Sequence, residues 1–150
     1  MTTLTRTFKT TIAAIGISAL AGCSMMGMSH DTITYSAQLS GAAEVPPNTS
    51  AGTGKVEAKL DKKSQILHWT VSYSGLTGPA KAGHFHGPAM PGSNAGVALP
   101  FTGSMTSPIK GEAKLTDAQM QELMAGKWYA NIHTAAHPGG EIRGQLSPSR

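Results

Sequence analysis

Six histidines occur in the 150 residues, and four of them fall in two short motifs: His84-Phe85-His86-Gly87-Pro88 and His133-Thr134-Ala135-Ala136-His137-Pro138-Gly139-Gly140. Residues two apart on a strand point to one face, so His84 and His86 project side by side while Phe85 turns the other way, into the core. A pair of neutral imidazoles is a platform for Cu or Zn. The second motif offers two more ligands, His133 at the end of a strand and His137 in the turn that follows. If the two segments lie beside or opposite each other, three or four imidazoles converge. The candidate metal ligands are therefore His84, His86, His133 and His137, with copper the leading ion and Met90 a further soft ligand in the loop after the pair. The competing expectation is structural, because a histidine beside Gly and Pro in a turn often bonds the backbone and pins two loops together. Glu141 and Arg143 are expected on a solvated strand face, where an ion pair is worth little. Hydrolytic chemistry ranks last, since no nucleophile elbow or activated cysteine is present, and no catalytic residue is assigned.

Strands must position these residues. Charged side chains make up 13% of the chain, about half the usual share, while 18 Gly and 9 Pro favour a turn-rich β domain over a helical bundle. From Thr32 onward apolar residues alternate with polar ones at period two. Ile33, Tyr35, Ala37 and Leu39 share one face, as do Val56, Ala58 and Leu60, and then Leu67, Trp69, Val71 and Tyr73. His68 falls on the polar side of the last run and is expected to be solvated. Asp61-Lys62-Lys63-Ser64 is a turn that makes residues 54–74 a hairpin. Further strands are expected around Ile109, Ala113 and Leu115, around Trp128, Ala130 and Ile132, and around Ile142, Gly144 and Leu146. One helix interrupts them over about residues 117–125: Thr116-Asp117-Ala118-Gln119 is a capping box, Leu115 can staple against Met120, and Gly126 is a terminator. Seven or so short strands with one helix suggest an immunoglobulin-like Greek-key β-sandwich, with a closed small barrel the alternative.

The chain is expected to divide into a leader over residues 1–22, a tether over 23–31 and a domain over 32–150. Arg6 and Lys9 precede an uncharged stretch from Thr10 to Gly22, shorter than the roughly 20 apolar residues that span a bilayer. It ends Leu20-Ala21-Gly22-Cys23, which resembles a bacterial lipobox. That resemblance implies cleavage before Cys23, acylation of its sulfur and amine, and stable membrane anchoring by two or three chains. Ser24, in place of the Asp that signals inner-membrane retention, implies the outer membrane, facing the periplasm. An ordinary signal peptide cut near Ala21 or Ala13 is the alternative. Cys23 is the single cysteine, so no intramolecular disulfide can form. The tether carries Met25, Met26, Met28 and His30, which read as a linker or as soft ligands for Cu(I). With Arg6 and Lys9 removed, ten basic side chains face eight acidic ones, spread along the chain, which excludes a nucleic-acid footprint.

Several fragments together resemble the chordin-type domain known as CHRD: Leu39-Ser40-Gly41-Ala42-Ala43-Glu44-Val45-Pro46-Pro47, then Gly83-His84-Phe85-His86-Gly87-Pro88-Ala89, then Gly126-Lys127-Trp128-Tyr129-Ala130-Asn131-Ile132-His133-Thr134 and His137-Pro138-Gly139-Gly140-Glu141-Ile142-Arg143-Gly144-Gln145-Leu146. The resemblance spans about residues 33–147. It implies an extracytoplasmic sandwich distantly similar to Cu,Zn superoxide dismutase, in which His84-Phe85-His86 looks like the copper-binding His-x-His strand and His133 or His137 like a further copper ligand. The departures are large. No histidine lies between His86 and His133, so the bridging ligand and zinc subsite have no counterpart, and Arg143 is displaced from the position of the substrate-steering arginine. Three readings follow: a non-enzymatic, membrane-tethered envelope domain that binds copper or another transition metal; a structural or protein-interaction module of the envelope without metal; and a copper-dependent oxidoreductase.

Overall fold

The computed structural model describes residues 1–3 and 31–149. Residues 4–22 of the expected leader, Cys23 and the tether's methionines with His30 lie outside the described residues. Among the described residues nine strands follow in chain order: β1 (Thr32–Ser40), β2 (Thr53–Asp61), β3 (Ile66–Ser74), β4 (Ala80–His86), β5 (Val97–Pro100), β6 (Ile109–Lys114), β7 (Tyr129–Thr134), β8 (Ile142–Gln145) and β9 (Ser147–Pro148). The helix α1 (Asp117–Met124) lies between β6 and β7. Among the described residues no helix is long and apolar enough to cross a membrane.

Alternation sets the faces of the first three strands. Tyr35, Leu39, Val56, Leu60, Leu67 and Val71 are all 2% exposed or less, and their polar neighbours face outward. β1, β2 and β3 pair antiparallel in sequence, and β6 closes that half against β3. In this half His68 is exposed, as expected, with Nδ1 3.0 Å from the Glu112 carboxylate across the β3–β6 pair.

The hydrogen-bonded path runs β5-β4-β7-β8-β1-β2-β3-β6, with β9 added on β1. β3 and β4 are neighbours in sequence but far apart along this path. Their side chains nevertheless meet: Trp69 of β3 packs edge-on against Phe85 of β4, with ring centroids 5.5 Å apart. The sheet therefore curls over until its two halves face each other, giving a mainly β, sandwich-like fold with one hydrophobic core. The path does not close, since β5 and β6 remain its ends.

The helix bears out its capping chemistry. The Thr116 hydroxyl accepts from the Gln119 backbone N–H while the Gln119 side chain accepts from the Thr116 N–H. At the other end Gly126 has φ +71°, and the N–H groups of Gly126 and Lys127 reach back to the carbonyls of Leu123 and Glu122. This left-handed terminator turns the chain directly into Trp128, which is fully buried.

Candidate metal centre

In the half-sheet β4-β7-β8, β7 and β8 bury nearly every residue on both faces, while the outer face of β4 is half-buried. Its inner face presents Phe85, Ala130, Ile132 and Ile142 to the core, all fully buried. Register fixes what the outer face presents: His84 lies opposite Asn131, which lies opposite Arg143; His86 lies opposite Tyr129, which lies opposite Gln145; His133 lies opposite Ala82. Glu141 and Arg143, expected on a solvated face, are 0% and 2% exposed. That expectation is corrected because alternation reports polarity, whereas the loops over residues 41–50 and 87–96 cover this polar face.

His84, His86 and His133 come together, each half-buried and each offering a ring nitrogen within 4.8 Å of the other two. His84 Nδ1 is 3.1 Å from His133 Nε2, and His133 Nδ1 is 3.0 Å from the Pro138 carbonyl. A carbonyl only accepts, so the neutral His133 ring carries its proton on Nδ1 and leaves Nε2 with a free lone pair. The same logic holds for His86. Its Nδ1 donates to the Ala95 carbonyl at 3.0 Å, and its Nε2 is buried without any partner.

His137 does not join the three. The chain leaves β7 at Thr134, and the turn carries His137 to a cleft it shares with Val45, Pro46, Asn48 and Gly140. Four residues of irregular turn do not keep the strand's period, so His133 and His137 do not share a face. Met90 is 58% exposed on its loop.

Sequence reasoning missed the column behind His86. The Tyr129 ring stacks on His86 with centroids 4.9 Å apart and planes 4° from parallel. The Arg143 guanidinium lies 3.4 Å from the Tyr129 ring centroid, and it donates to the Ser93 carbonyl at 2.6 Å and to Asn94 Oδ1 at 2.8 Å. Tyr129 Oη accepts from the Ala95 N–H at 3.1 Å, so one loop residue fixes both His86 and Tyr129. Such outer partners set the tautomer and orientation of a ligand histidine. The signal lay in the period-two spacing of Tyr129, Asn131 and His133 opposite Arg143 and Gln145, which only register could pair.

Burial holds all three cluster histidines below the ordinary imidazole range, His84 and His133 with help from the neighbouring rings and His86 from Arg143, while backbone hydrogen bonds oppose the shift in His86 and His133. They are neutral at pH 7, the form that binds metal. Two carboxylates flank the face with opposite character. Glu141 accepts from Ser50 Oγ and the Thr77 N–H, both at 2.7 Å, from Thr77 Oγ1 at 2.8 Å and from Thr134 Oγ1 at 2.5 Å. Burial pushes that carboxyl up, but these donors outweigh it and hold Glu141 at about 2. Glu44 accepts from Asn131 Nδ2 at 2.7 Å, yet burial dominates and pushes it up to about 7. A cleft of about 510 Å³ between the 42–47 loop and Pro91-Gly92 has Arg143 and Gln145 in its lining but none of the three histidines.

Comparison with curated proteins and with solved structures gives no match. The CHRD domain family matches residues 35–146, most of the chain and all of the strands from the middle of β1 through β8. The chain that carries this three-histidine face therefore belongs to the CHRD domain family.

Proposed function

We propose that the protein is a non-enzymatic, membrane-tethered module of the bacterial cell envelope whose CHRD domain binds a transition metal, copper foremost, through His84, His86 and His133. One observation carries the metal reading: three imidazoles each offer a ring nitrogen within 4.8 Å of the others, and the Nε2 of one of them, His86, is buried without a partner. A buried acceptor without a donor costs on the order of 1–3 kcal/mol, and a cation removes that cost. The spacing fits. Two nitrogens bound at the usual metal distance with a tetrahedral angle between them stand about 3.3 Å apart. His84 Nδ1 and His133 Nε2, at 3.1 Å, need to separate by only a few tenths of an ångström to reach that spacing. Binding also requires the His84 proton to move from Nδ1 to Nε2, freeing the nitrogen that faces the cluster. The membrane half of the proposal rests on Leu20-Ala21-Gly22-Cys23 and the acylation this motif implies.

A second reading has its own observation. Without metal, His84 can donate to His133, which donates to Pro138, a chain that pins the turn after β7. Calorimetric titration of the full chain in detergent with Cu(II), Cu(I) and Zn(II), beside a His84→Ala, His86→Ala variant of verified fold, separates the two. The proposal expects one stoichiometric site tighter than about micromolar, lost in the variant. Weak binding, equal in both proteins, refutes it. A variant that melts lower in metal-free buffer, with no metal site in the parent, establishes the structural reading instead.

A further inference from the structure

The geometry points to a site that selects by charge: the three histidines hold monovalent copper in preference to divalent ions, and Arg143, buried behind Tyr129, is the positioning residue that sets the preference. This inference rests on the metal reading above and asks which ion the same cluster prefers.

The first support is the charge of the site. The cluster holds three imidazoles and no carboxylate within the 4.8 Å that unites it. Metal sites that take divalent ions in buried surroundings usually neutralise part of the charge with anionic ligands, while neutral ligands leave the full charge on the ion.

The second support is Arg143. It is 2% exposed, and its partners are the Ser93 carbonyl, the Asn94 amide oxygen and the Tyr129 ring, all neutral. Among the described residues the ion pairs are Lys55–Glu57 and His68–Glu112, both exposed, and neither involves Arg143. A buried guanidinium whose hydrogen-bonded partners are all uncharged projects its field into its surroundings, because little water is present to screen it. That field reaches the cluster through two stacked steps, 3.4 Å from the guanidinium to Tyr129 and 4.9 Å from Tyr129 to His86. Glu44, a buried carboxyl that lines a cleft together with Arg143, is pushed up to about 7 and so offsets the guanidinium only in part.

The consequence is electrostatic. A second positive charge on the ion interacts with Arg143 as the first does, so the repulsion on a divalent ion is twice that on a monovalent one. At this separation, and with the effective dielectric of a partly buried site, the difference corresponds to about tenfold or more in relative affinity. Arg143 also holds the 93–94 segment next to Ala95, whose carbonyl fixes His86, so charge and ligand orientation are set by one side chain.

The test is competition on the full chain in detergent, with Cu(I) measured against bicinchoninate under anaerobic reduction and Cu(II) and Zn(II) against chromophoric chelators. The same measurements are made on Arg143→Lys, which keeps the charge, and Arg143→Met, which removes it. The expected result is a ratio of Cu(I) to Cu(II) affinity that falls about tenfold or more in Arg143→Met and stays within a few-fold in Arg143→Lys. The potential of the bound couple falls with it. An unchanged ratio in a folded Arg143→Met variant overturns the inference, as does a wild-type protein that prefers Zn(II) or Cu(II). If Arg143→Met does not fold, the wild-type ratio still decides, judged against the same three ions on free imidazole. Failure of every ion to bind refutes the metal reading itself.

Discussion

Two glutamates of one buried face respond to pH in opposite directions, and each can be tested alone. Glu141 is ionised, fully buried and held by four donors from three segments, namely Ser50, Thr77 and Thr134. Its folded value of about 2 lies below the ordinary 4.5, so its contribution is present above pH 4.5 and is lost as pH falls through 2. Glu141→Gln is expected to lower unfolding free energy at pH 7 by about 2–3 kcal/mol, with the difference vanishing near pH 2, as read by urea titration at several pH values. Glu44 runs the other way. Its folded value of about 7 lies above 4.5, so its contribution is fully present below 4.5 and is lost as pH rises through 7. Between pH 5.5 and 8.5 the wild type should lose about 1–3 kcal/mol that a Glu44→Gln variant keeps, since Asn131 can still donate to an amide oxygen. Parallel stability curves for the two proteins over that range would show that Glu44 does not titrate as its burial requires.

At the level of elements, the seam between β8 and β1 is where the two halves of the sheet join, and Gly144 makes it possible. A Cβ at Gly144 would stand 2.2 Å from the Gln38 carbonyl oxygen and 2.8 Å from a Leu39 methyl. The first of these is backbone and cannot swing aside. Gly144→Ala should therefore cost about 1–3 kcal/mol, and faster amide exchange at β1 and β8 than at the β2–β3 hairpin would locate the damage. A variant as stable as the parent would mean that the seam can open without loss. The same seam marks the limit of what the sequence discloses. β1, the 53–74 hairpin and α1 were legible because each buries one face, so apolar spacing and a capping box describe them fully. β7 and β8 bury both faces. Tyr129, Asn131, Glu141 and Arg143 alternate with apolar residues just as solvated positions do, and only the loops over them show otherwise. The His84–His86 pair was legible from period two alone, whereas the convergence of His133 and the exclusion of His137 required the β4–β7 register. β5 was not expected at all. Its four residues carry no alternation of their own, and it is held by pairing with β4 and by Gln119, whose side chain donates to the Ala98 carbonyl.

On the scale of the whole molecule, the domain offers little that could hold it to a membrane. Past residue 22, ten basic side chains against eight acidic ones leave a small excess spread along the sequence, too diffuse for adhesion to anionic lipid. Among the described residues the exposed large hydrophobics are Met1, Met90, Val97 and Met124, no two of them adjacent in sequence. The attachment proposed above is therefore assigned to acyl chains on Cys23. A buried methylene contributes about 0.8 kcal/mol, so one acyl chain binds marginally while two or three hold a small protein through repeated washing. The expected outcome is that the wild-type protein sediments with envelope membranes, resists high salt and is released by detergent, while Cys23→Ser carries its uncleaved leader or appears in the soluble fraction. On that proposal salt alone should not release the wild type, because acyl chains are held in a bilayer by apolar burial and not by charge. Fractionation with immunoblotting, and mass spectrometry of the amino-terminal peptide, read both results. A wild-type protein found free in the soluble fraction with an unmodified cysteine would remove the anchor and leave the histidine face on a diffusing domain.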